Sequence, residues 1–192
     1  MSLNEQIAFL LHADKLKNVV RKNKLVSGER NENSAEHSWH VSLQAVVLAG
    51  HAPENLKLDT VLKMLTIHDI IEIQAGDHWV TEENETDVAT LEAAAAEETF
   101  SLLPDNQAAE FKALWAEFEA GDSPEAKFAN AMDALHPMLQ VFGPNASGFC
   151  HQPLSADFLR RKKAPRLAPY PDLWAYAQSL LDAAVRNGYL MP

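Results

Sequence analysis

Apolar residues recur along the chain at intervals of three and four, the spacing of amphipathic helices, and no convincing stretch alternates with the period of two that marks a strand. The pattern predicts a first helix over residues 3–18, followed by an irregular basic segment, RKNKLVSGERNEN. A second helix starts in NSAEHSWHVSLQAVVLAGH, where Asn33 or Ser34 is placed to cap it. Asn33 and Glu36 have the spacing of a capping box, which puts His37 in the first turn. A third helix, about 57–74, carries an apolar stripe at Leu58, Val61, Leu62 and Leu65 and stops at Gly76. Residues 87–103 and 105–120 read as two more helices, separated by Pro104. Ser123 and Pro124 open the next, with apolar residues at Phe128, Met132, Leu135, Leu139 and Phe142. Pro137 lacks the N–H that would bond the carbonyl of residue 133, so a bend is expected at Asp133. The basic, Pro/Gly-rich stretch 143–170 reads as a long loop or insertion with one short helix, and a last amphipathic helix over about 171–187 closes the chain. The expected fold class is all-α.

Composition narrows the function classes. At 192 residues and 47% apolar content the chain is expected to form one domain, with a core over about 14–142 and residues 143–192 packing on it as an extension. No apolar run approaches the roughly 18 residues of a membrane span, and the N-terminal stretch lacks a basic start and a small-residue cleavage site, so a cytoplasmic protein with no membrane partner is expected. The net charge of −11 argues against a nucleic-acid polymer as partner. Positive charge is nonetheless concentrated: six of the sixteen Lys and Arg lie between Lys15 and Arg30, and five between Arg160 and Arg166. These patches suit either solvated surface or a small phosphorylated ligand. The lone Cys150 excludes an internal disulfide and a thiolate-rich zinc site, so any metal must be held by His and carboxylates.

The stripe of the third helix, continued at the same spacing, lands on His68, Asp69 and Glu72. A buried ionised carboxylate is costly unless it is paired or ligates a metal. One reading is therefore a cation site to which His37 and Asp133, flush against the later stripe, add donors from other helices; the other is an amphipathic helix ending in a polar turn. His40, three residues after His37, competes with it for the ligand role. A mixed nitrogen and oxygen shell suits Mn, Fe, Co, Ni, Zn or Mg.

Three ordered motifs, ENSAEHS, IHDIIEIQAGD and AKFANAMDAL, resemble those of the HD-domain metal-dependent phosphohydrolases, specifically the branch containing the 5'-deoxynucleotidases, over about residues 14–142. The resemblance implies an HD-domain helical bundle with one divalent cation held by His37, His68, Asp69 and Asp133. It implies Glu72 near the attacking water, and Asp77 assisting that water or the leaving group. Arg21 matches a substrate-binding arginine, although the aromatic that follows it in the family is replaced by Lys22 and Lys24, and Arg30 matches a second basic position. The expected substrate is a small phosphate monoester, best the 5'-phosphate of a nucleotide, and the expected assembly a homodimer. The rivals are a different phosphorylated metabolite, as the missing aromatic and the C-terminal insertion allow, or a non-catalytic helical protein with a metal or ligand site. His78, His136 and His151 read as ordinary polar residues, His136 being the nearest of them to Asp133. Trp79 reads as core or a base-stacking ring; Glu82, Glu83 and Glu85 as an acidic loop or lid; and RRKK at 160–163 as surface or a phosphate clamp.

Overall fold

The structure, a computed structural model, describes residues 2–77, 85–150 and 152–192, leaving aside the side chains of 85–87. Helix α1 (Leu3–Ala13) is shorter than expected and passes into a 3₁₀ turn, Asp14–Asn18. The basic segment after it is not irregular. Strand β1 (Val20–Lys24) pairs antiparallel with β2 (Asn31–Asn33), and the Asn31 amide donates to the Arg21 carbonyl at 2.9 Å. Arg21 and Asn23 alternate inward along β1, so its inner face is polar, and hydrophobic periodicity cannot reveal such a strand.

Helix α2 (Ser34–Val47) opens with the predicted capping box: the Asn33 side chain accepts from the Glu36 N–H at 3.0 Å, and the Glu36 carboxylate from the Asn33 N–H at 3.3 Å. The expected single helix over 57–74 is instead α3 (Leu58–Ile67), a tight turn, and α4 (Glu72–Ala75). The cause is a side chain. His68 Nδ1 donates at 2.9 Å to the Leu65 carbonyl, which a continuing α-helix would offer to the Asp69 N–H. The following bonds, Ile70 N–H to Ile67 and Glu72 N–H to Asp69, are of the tighter i+3 kind. Gly76, at φ +81°, then ends α4 in a conformation that other residues adopt only with strain.

Helices α5 (Glu85–Phe100) and α6 (Asp105–Ala120) flank Pro104, and α7 (Pro124–Phe142) starts on the Ser123 cap. Pro137 does not end α7, which is continuous over its whole length. The insertion is more ordered than its composition implies: α8 (Ala156–Leu167), capped by Ser155, carries the RRKK run, and α9 (Pro171–Arg186) follows. Twelve of the nineteen residues of α7 are buried, and α2, α3, α8 and α9 pack around it in one core. A second core joins α1, α5 and α6 beneath α3 and the tight turn. The all-α class holds, with the small hairpin as its one departure among the described residues. Among those residues no helix is long and apolar enough to cross a membrane.

Candidate metal centre

Burying Val41 and Ala45 against α7 turns the first turn of α2 toward the middle of that helix. The Gln44 amide fixes the register by donating to the Met132 carbonyl at 2.9 Å. His37 consequently faces Asp133, the next residue, with Nε2 3.1 Å from Oδ1. The turn after α3 brings in His68 and Asp69: His68 Nε2 lies 3.2 Å from Asp69 Oδ1 and 4.0 Å from Asp133 Oδ1, and His37 Nε2 lies 3.8 Å from Asp69 Oδ2. Four side chains from three segments thus meet within ion-pair distance. Burial raises the cost of charge on Asp133, yet its hydrogen bond from His37 and the charges of His37 and Arg166 hold it well below the usual carboxylate range.

Arg21, projecting from the inner face of β1, ties three carboxylates together. Its Nη1 lies 2.7 Å from Asp69 Oδ2, 3.3 Å from Glu72 Oε1 and 3.8 Å from Asp77 Oδ1. The other Glu72 oxygen accepts from the Ser34 hydroxyl at 2.5 Å, and Asp77 accepts from the Lys22 N–H at 3.3 Å. Glu72 therefore touches the cluster through Arg21, and burial, followed by the neighbouring Asp69 charge, pushes its carboxyl up. Arg30 is not brought to the site. It is exposed and forms a bidentate pair with Glu36, at 2.7 and 2.8 Å, which braces the capping box.

A second polar group, which the sequence did not reveal, lies behind His37. Glu32 on β2 is 2% exposed and faces His37 Nδ1 at 3.4 Å and His136 Nε2 at 3.7 Å. His136 in turn meets His40 Nδ1 at 3.0 Å, so the structure pairs His40 with His136. Burial and then Arg21 push the His37 imidazole down, but its contacts with Asp133 and Glu32 outweigh both and raise it to about 9. Glu32 was concealed because NEN reads as loop; its burial follows from the hairpin. The only sequence signal was a carboxylate one residue before the helix cap.

These donors fit a divalent cation. His68 spends its Nδ1 hydrogen on a carbonyl, so Nε2 carries the lone pair, and that atom is buried without a hydrogen-bond partner among the described residues. His37, His68 and Asp69 each offer a ligand atom, all within 4.8 Å of one another. Two imidazoles with one or two carboxylates match the preferences of first-row divalent metals.

Beside the cluster opens a cavity of about 380 Å³. Asp133, Asp77 and Arg21 form one side; Met138, Val141, Phe142, Phe149 and Phe158 supply an apolar wall, and Lys162, Lys163 and Arg166 a basic one. The basic run of the insertion therefore turns toward the site. His78, Trp79, Glu82, Glu83, the Glu85 side chain and His151 lie outside the described residues.

The sequence matches the HD domain family over residues 13–174. It is 28% identical over 114 residues to the 5'-deoxynucleotidase HDDC2 of Xenopus laevis, covering 59% of this chain and 55% of that protein. With the 5'-deoxynucleotidase hdd1 of Schizosaccharomyces pombe it shares 29% over 143 residues, covering 71% and 70%. The chain thus spans little more than half the length of its vertebrate relatives. Among solved structures it is similar to a predicted metal-dependent phosphohydrolase from Magnetospirillum magnetotacticum, with a TM-score of 0.91 and 42% identity over 99% of this chain and 96% of that one. An HD-domain phosphohydrolase from Listeria innocua shares the fold at 14% identity, with a TM-score of 0.68 over 96% and 92% of the two chains.

Proposed function

The chain belongs to the HD domain family, and from that premise we propose that it is a metal-dependent hydrolase of phosphate monoesters, acting on the 5'-phosphate of a nucleoside or deoxynucleoside monophosphate. The observation that carries this reading is the convergence of His37, His68, Asp69 and Asp133 beside a cavity with both basic and apolar walls. These four residues would hold the cation. When bound, it supplies Lewis acidity toward a phosphoryl oxygen and lowers the pKa of nearby water. Glu72, fixed by Ser34 and Arg21, orients the attacking water and takes its proton. Asp77 borders the cavity and is placed to pass the proton taken up by Glu72 on to the leaving oxygen as the ester P–O bond breaks. Arg21 is committed to the carboxylates, so it acts chiefly by positioning Glu72 and Asp77. The aromatic ring missing after Arg21 has a substitute in Phe149 or Phe158, which supply an apolar wall for a nucleobase.

The test is metal-stripped protein reloaded with Mn, Co, Zn, Fe, Ni or Mg and assayed for phosphate release from nucleoside monophosphates and other monoesters. At least one metal restores turnover, and Glu72→Gln lowers kcat by about 10²–10⁴ with the metal still bound. No release with any metal or monoester overturns the reading; release only from other monoesters moves the substrate.

We also propose a homodimer. Helix α1 exposes Leu3, Ile7, Leu10 and Leu11, and α2 exposes Trp39, Leu43, Val46 and Val47, each set at i, i+4, i+7 and i+8. Trp39 and Leu10 line one groove between the two helices, which a second copy covers. Trp39→Glu is expected to halve the mass measured by light scattering.

A further inference from the structure

Four carboxyl groups, Asp69, Glu72, Asp77 and Asp133, surround the centre, and together with Arg21 and one divalent cation they leave no net positive charge. A phosphate dianion would therefore enter without net attraction unless another group met it. Arg21 cannot turn to it without abandoning Asp69 at 2.7 Å. The compensating charge lies on α8. Phe158, Lys162 and Arg166 recur at i, i+4 and i+8, Lys163 lies three residues before Arg166, and all four line the cavity. Arg166 brings this face against the metal cluster, with Nη1 3.8 Å from Asp133 Oδ2. Lys163, one turn earlier, is half-buried and makes no hydrogen bond or ion pair among the described residues. Burial pushes its ammonium down to about 8, and the charge of Asp133 offsets that cost only in part.

We propose that Lys163 is a catalytic residue of this site: its ammonium binds the non-bridging oxygens of the scissile phosphoryl group from the α8 wall of the cavity, with Arg166 supporting it. The proposal rests on the phosphohydrolase reading above. Charge on those oxygens during transfer would meet a donor already in place, the arrangement from which electrostatic catalysis derives most of its effect.

The experiment compares metal-loaded wild type with Lys163→Met and Lys163→Arg. Calorimetry with inorganic phosphate reads binding, and steady-state assays on the best monoester of the panel read kcat and KM. Lys163→Met is expected to weaken phosphate binding about ten-fold and to lower kcat/KM by about 10²–10³, with metal content and melting temperature unchanged and partial recovery in Lys163→Arg. Wild-type phosphate affinity in folded, metal-loaded Lys163→Met overturns the proposal. Should Lys163→Met fail to fold, Lys163→Gln is measured in its place: weakened phosphate binding supports the proposal and wild-type affinity overturns it. The phosphate arm does not depend on turnover. If no monoester is hydrolysed the phosphohydrolase reading fails, while a loss of phosphate affinity still upholds Lys163 as the anion-binding group.

Discussion

Two groups of histidines and carboxylates share His37, one on each side of its ring. On the Nε2 side stand Asp133, Asp69 and His68; on the Nδ1 side stand Glu32 and His136, with His40 beyond. By donor type and spacing either could hold a metal, since both bring three ligand atoms within 4.8 Å of one another. They differ in access. Both hold buried atoms without a hydrogen-bond partner among the described residues, His68 Nε2 in one and His37 Nδ1, His136 Nδ1 and a Glu32 oxygen in the other. The Nε2 group borders the cavity through Asp133, whereas Glu32, His37 and His136 are all buried away from it. Donor chemistry alone thus does not identify a metal site; a route to solvent favours the Nε2 side. The Nδ1 group is then the brace that orients His37 for the other side.

The largest effect should come from the cavity side. Asp69→Ala is expected to reduce bound metal, measured by mass spectrometry of the dialysed protein, from about one per chain to near zero, with turnover falling by at least about 10³. A protein that keeps its metal in Asp69→Ala and loses it in His136→Ala would reverse the assignment of the two groups. Next in size is the brace. Glu32→Gln should weaken metal binding by roughly 10–100-fold in a chelator competition while the reloaded protein keeps near-normal turnover. An equal loss of turnover after full reloading would place Glu32 in the chemistry itself. The smallest effect belongs to His40→Ala, for which metal content and rate should stay within about two-fold of wild type, because His40 bonds the outer histidine and stacks on Trp39, away from the cavity-side group.

The cavity-side group was legible because each member breaks an apolar stripe. His37 precedes Val41, His68 and Asp69 continue Val61 and Leu65, and Asp133 sits between Met132 and Leu135, all of these apolar neighbours being buried. A polar residue in such a run asks for a partner, and the sequence supplies four candidates. Glu32, and Arg21's engagement with the carboxylates, were hidden for the opposite reason: they stand in a hairpin whose inward residues are polar. Arg30 carried the right charge, but Glu36 one turn into α2 claims it. Lys163 was visible only as one of four consecutive cations, and which of them turns inward depends on how α8 packs on α7. The break after α3 was likewise illegible, because the side chain that causes it looks, in one dimension, like a continuation of the helix.

The bond between Arg21 and Asp69 also has a bearing on which ions the protein accepts. One oxygen of that carboxylate is already held by the guanidinium, so a cation between the two imidazoles would meet Asp69 chiefly through Oδ1. Calcium gathers roughly six to eight oxygens, whereas a smaller ion content with nitrogen needs fewer. A guanidinium that holds one carboxylate oxygen would thereby favour the smaller ion.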